Sequence, residues 1–110
     1  MATKTLNNFG LPVATKQIRV AVRFDKWLDI EAKIIEKMIS EWEHVQNNQY
    51  ELMNSMNEPG IYPEVRLFTN KCVNEISLVL DEMWKEIQEA QTRHMKNVRR
   101  AQQIVKAIKD

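Results

Sequence analysis

The stretch Glu58-Pro59-Gly60-Ile61-Tyr62-Pro63 decides the fold. Pro59 cannot continue a helix, Gly60 permits a tight turn, and Pro63 suits the first position of a following helix. The remaining breakers, Gly10 and Pro12, lie near the start of the chain. Everything between and beyond is free of Gly and Pro, so the sequence predicts two long helices, about 26–57 and 64–109. Folded back at residues 58–63, they make an antiparallel helical hairpin. The expected fold class is all-α.

Downstream of the turn an apolar seam runs Val65, Phe68, Cys72, Ile76, Val79, Met83, Ile87, Ala90, His94, Val98, Ala101, Val105 and Ile108. Its steps read as 3-4-4, an eleven-residue repeat that suits a nearly straight helix. Val73, Leu80, Trp84 and Met95 widen it, as if two surfaces were covered there. Upstream, Leu28, Ile35, Trp42, Val45, Met53 and Met56 recur at helical spacing, with Ile34, Met38 and Ile39 beside them. Asp25 offers an N-cap for this helix, and Asn47-Asn48-Gln49 is a weak spot within it.

The two helices differ in length, about 48 Å against about 68 Å at 1.5 Å per residue. Residues 96–108 therefore overhang while still carrying the seam. A cover is needed over Val98, Ala101, Val105 and Ile108, and these are the candidate self-association residues. The N-terminal arm is one candidate cover and a second copy is the other. A homodimer or larger bundle is the expected form, since so short a chain builds only a marginal core.

Residues 1–25 read as that arm. Within it, QIRVAVRF at 17–24 alternates apolar and polar residues, the period of a half-buried strand. This strand, followed by Asp25 and a helix, resembles the start of ribbon-helix-helix DNA-binding proteins over residues 17 to about 40. The resemblance implies a paired ribbon with Gln17, Arg19, Ala21 and Arg23 toward the major groove. The helical pattern then runs past Trp42, where that family has a short helix and a turn.

Charge is unevenly laid out. Residues 1–26 net +4, residues 93–110 net +5, and residues 27–92 net −8, within a chain of formal charge +1. A hairpin gathers both basic segments at one end. Such a layout suits helix-dipole matching, self-assembly of basic on acidic segments, or a partner of opposite sign. Arg19, Arg23, Arg99 and Arg100 are the candidate nucleic-acid residues, the last two for phosphates.

At 110 residues and 13.0 kDa the chain is one domain, too short for a large multi-step enzyme. Its 44% apolar and 28% charged residues are those of a globular protein. The lone Cys72 forms no internal disulfide, and MATKTLNNFG lacks a signal-peptide profile, so a cytoplasmic location is expected. No apolar run is long enough for a membrane span.

No catalytic constellation is legible. Glu41 and His44 have the Glu-x-x-His spacing of di-iron bundles, but His44 falls off the apolar stripe and Glu41 on its flank, while Glu75, Glu82 and Glu86 lie on the flank or off the seam of the second helix. His94 and Cys72 sit on the seam and read as packed residues. No Gly-rich phosphate loop is present. No metal or cofactor is expected.

The reading is a non-enzymatic helical interaction or assembly protein: an adaptor, an inhibitor or an oligomeric subunit. Leu67 and Leu78, eleven apart and off the seam, are candidate contacts for a protein partner, with Ile61 and Tyr62 at the turn. The alternative is a small dimeric DNA-binding accessory or regulatory protein with a ribbon-helix-helix-like strand.

Overall fold

The computed structural model describes the backbone of residues 13–109 and the side chains of residues 17 and 19–108. Two helices account for nearly all of it: α1 (Val13–Ser55) and α2 (Pro63–Lys109). No strand occurs among the described residues, and the fold is an all-α helical hairpin. The chain divides into two units. Unit 1 comprises residues 1–34 with 91–110, and unit 2 comprises residues 35–90.

The turn follows from its residues. Asn57 and Glu58 close the end of α1 with three-residue bonds to the carbonyls of Asn54 and Ser55, at 3.1 and 3.3 Å. Gly60 then takes a φ of 83°, a backbone conformation that side-chain-bearing residues adopt only under strain. The Tyr62 carbonyl accepts from Arg66 N–H at 3.0 Å, which starts α2 with Pro63 in its first turn.

With Val20, Ala32, Ile39 and Gln46 half-buried at its flank, the inward row of α1 runs 21, 24, 28, 31, 35, 38, 42, 45, 49 and 52 and continues to 56 just past the helix end. That is an unbroken alternation of three and four, the heptad that lets one helix keep a single stripe against its neighbour. The expected weak spot at residues 47–49 does not exist. Gln49 stands on the stripe and is buried. Leu52 holds the inward position, while Met53 and Ile34 are exposed.

On α2 the inward row differs from the expected seam. It runs Thr69, Val73, Ile76, Leu80, Met83, Ile87, Ala90 and His94, again alternating four and three. It then takes one additional four-residue step to Val98 before Ala101, Val105 and Ile108. Val65, Phe68 and Val79, placed on the seam by the 3-4-4 reading, are exposed. The heptad wins because α1 keeps strict heptad spacing, and a helix packed along it must present its stripe at the same period.

The strand expected at residues 17–24 is not formed. These residues belong to α1, and Asp25 is an exposed residue inside that helix rather than its cap. The reason is backbone satisfaction. A lone strand leaves its N–H and C=O groups without a partner, whereas a helix bonds them internally. Ala21 and Phe24 also extend the α1 heptad toward the start of the chain. The overhang disappears with the strand: in unit 1, Leu28 of α1 lies with Ala101 of α2. Of the arm expected over residues 1–25, residues 13–25 are therefore helical, and residues 1–12 lie outside the described residues.

The core is thin. Among the described residues the buried apolar side chains are Ile35, Val73, Leu80, Ile87, Ala90 and Ala101, two of them alanines. Ile87, 1% exposed, is the one large side chain fully enclosed among them. Ile87→Ala should therefore cost about 2–5 kcal/mol in urea denaturation. A loss below about 1 kcal/mol would mean that unit 2 is not organised around this residue.

Candidate interaction surfaces

Unit 2 is held by polar as well as apolar contacts. The Gln49 side-chain amide donates to the Val73 carbonyl at 2.9 Å and to Ser77 Oγ at 2.7 Å. Ser77 Oγ in turn donates to the Val73 carbonyl at 3.2 Å. Trp42 Nε1 donates to the Leu80 carbonyl at 3.1 Å, and its ring lies 5.1 Å from that of Trp84 at a tilt of 46°. These bonds tie α1 to α2 at fixed register, because a slip along the seam would bury an unpaired amide.

In unit 1 the corresponding polar group is Glu31–His94–Asn97. His94 Nδ1 lies 2.6 Å from Glu31 Oε1, and the Asn97 amide reaches both Glu31 oxygens at 3.1 and 3.3 Å. A carboxylate only accepts, so the bond places the proton on Nδ1 of the histidine. This cluster sits where the α2 row takes its additional step. Glu31 and His94 are half-buried and Asn97 is exposed, and all three side chains are hydrogen-bonded to one another through the Glu31 carboxylate.

What the hairpin leaves outside is more informative. On α2 of unit 2 one exposed side reads Val65, Phe68, Cys72, Glu75, Val79, Glu82 and Glu86, stepping three and four. Phe68 is 66% exposed, and Cys72 is half-buried and free. On α1 of unit 1 the matching stripe reads Arg23, Trp27, Ile30 and Ile34, with Trp27 52% exposed. Trp27 lines an open cleft with Phe24, Leu28, Asn97, Arg100, Ala101 and Ile104. A second cleft across Leu28 and Ala101 is edged by Asp25, Gln102 and Lys106. Leu28 and the small Ala101 line both clefts.

The expected site residues fall as follows. Leu67 and Leu78 are 71% and 66% exposed on α2, and eleven residues place them on one side of that helix. Tyr62 is exposed at the turn and Ile61 half-buried. Arg19, Arg23, Arg99 and Arg100 are all exposed, with Arg100 also 3.5 Å from Gln103. Ala101 is buried, and Val98, Val105 and Ile108 are half-buried within unit 1. Glu41 and His44 are both exposed. Among the described residues no three His, Cys, Asp or Glu side chains come together to hold a metal.

The sequence reading missed Gln49, Glu31 and the Trp27–Ile30–Ile34 stripe. Each had a signal. Gln49 completes the three-four alternation between Val45 and Leu52, and the stripe repeats the same spacing one position beside it.

Charge divides with the units. Unit 1 carries twelve Lys and Arg against four Asp and Glu, a net +8. Unit 2 carries four against eleven, a net −7. The exposed pairs Asp29–Lys33 at 2.9 Å and Lys71–Glu75 at 3.9 Å are local helix pairs of small energetic weight. No described helix is long and apolar enough to cross a membrane. Comparison with protein-family models, curated proteins and solved structures gives no match to this chain.

Replacing Gln49 tests how the seam is set. Gln49→Ala should lose about 2 kcal/mol of stability, while Gln49→Leu should stay within about 1 kcal/mol of the parent, since apolar packing substitutes for the amide. Equal losses in urea denaturation would show that the hydrogen bonds, not the volume, carry the contribution.

Proposed function

We propose that the protein is a non-enzymatic helical interaction module, acting as an adaptor, an inhibitor or an assembly subunit. One observation carries this reading. Among the described residues fourteen large apolar side chains are exposed, against six apolar residues buried. Scattered apolar residues on a surface are ordinary, but stripes of them at helical spacing are the anchors of helix-to-helix recognition. Val65, Phe68 and Val79 supply one such stripe, Trp27, Ile30 and Ile34 another, and Leu67 with Leu78 a third. Ile61 and Tyr62 extend the choice to the turn. Phe68 and Trp27 have the size and aromatic character of residues that dominate interface energies.

A photo-crosslinking amino acid at position 68 or 27 tests this in cells expressing the full chain. Discrete adducts at those positions, and few at the exposed polar position 43, are expected. No adduct at either position would remove the reading.

The charge of unit 1 favours a second reading, a DNA-binding accessory protein. Arg19, Arg23, Arg99 and Arg100 would then contact phosphates from helices, since the ribbon is not formed. Binding to labelled generic duplex should weaken steeply between low and moderate salt as counterions are released. Arg19→Ala with Arg23→Ala should lower affinity on all sequences alike. Absence of binding at low salt would dismiss this reading.

A further inference from the structure

We infer that the partner of these apolar stripes is a second copy of the chain, with unit 1 of one copy seated on unit 2 of the other. The inference rests on the interaction-module reading and names its partner. Three observations converge on it.

The first is surface. Among the described residues fourteen large apolar side chains are exposed against six apolar residues buried, more apolar surface than a lone folded chain ordinarily leaves in water.

The second is the chemistry of the stripes. Trp27, Ile30 and Ile34 in unit 1, and Val65, Phe68 and Val79 in unit 2, occupy equivalent places beside the inward row of their helices. Residues at such positions become core when a pair of helices meets another pair in a bundle.

The third is charge, and it selects the orientation. The unit 1 stripe begins with Arg23, and Arg100 edges the cleft that Trp27 lines. Arg93, seven residues before Arg100, is on the same side of α2. The unit 2 stripe is interrupted and ended by Glu75, Glu82 and Glu86, all exposed. Unit 1 on unit 1 would press +8 against +8, and unit 2 on unit 2 would press −7 against −7. Only unit 1 on unit 2 buries apolar against apolar with opposite charges around the rim.

The test is sedimentation equilibrium of the full chain at about 0.05 M and about 0.5 M salt, which moves the Debye length from above 10 Å to a few ångströms. A mass that is a multiple of 13.0 kDa, with association weaker at high salt, is expected. Glu82→Lys with Glu86→Lys in one variant should weaken self-association at least about tenfold. Arg23→Glu with Arg93→Glu and Arg100→Glu in another should do the same. Mixing the two variants should restore a complex, because each reversed rim then meets its complement. All five side chains are exposed, so far-UV circular dichroism should be unchanged. Ile30→Glu and Phe68→Glu provide a second pair that acts on the stripes directly.

A monomer at low salt overturns the inference, as does an oligomer indifferent to both reversals and to both stripe variants. A monomer that crosslinks to other proteins at position 68 overturns the second copy and leaves the interaction module standing. A monomer without adducts overturns both. A monomer whose arginine variant loses duplex DNA binding assigns the basic unit to nucleic acid instead.

Discussion

Two helices lying side by side can each bury one stripe, and that constraint governs the rest of this protein. The inward positions of α1 and α2 take two residues in every seven. Ile35, Val73, Leu80 and Ile87 fill them in unit 2, and little remains to be enclosed. Trp27, Phe68, Leu67 and Leu78 stay in water because the hairpin has no second layer to cover them. A 44% apolar chain thus becomes a surface rich in apolar groups without any defect in packing.

With so thin a core, the polar groups on the seam carry much of its definition. Gln49 bonds across to Val73 and Ser77, and Trp42 bonds across to Leu80. Any slip of one helix along the other breaks these bonds at sites where water does not replace them. In unit 1, Glu31, His94 and Asn97 occupy the place where the α2 row changes phase relative to a regular heptad. A phase change turns the apolar stripe away from its partner, and a hydrogen-bonded polar cluster tolerates that turn better than an apolar contact. His94, which the sequence places on the seam as a packed residue, thereby acts with Glu31 and Asn97 as a fastener.

The electrostatic layout adds direction to an otherwise repetitive surface. Heptad stripes alone are promiscuous, since any helix of the same period fits them. A basic unit and an acidic unit on one chain make some pairings repulsive and others attractive. Specificity of this kind needs no pocket and no reactive group. It needs exposed arginines beside Trp27 and exposed glutamates beside Val79, and both are present.

The sequence by itself determined that two long helices flank one turn, though not where α1 begins, and it determined the separation of charge. Pro59, Gly60 and Pro63 act through their own backbones, so their effect is local and legible. Charge is additive along the chain and equally legible. The sequence did not determine which apolar residues face inward. Val65, Phe68 and Val79 fit a seam as well as Thr69, Val73 and Leu80 do, because two stripes one position apart have the same spacing. Only the partner helix, with its strict three-four row, decides between them. The segment 17–24 shows the same dependence. Its alternation suits a strand, but no second strand pairs with it, and Leu28 and Ala101 show that α2 is there to receive a helix. Local pattern sets what a segment is able to form, and the neighbour that satisfies its backbone and buries its side chains sets what it does form.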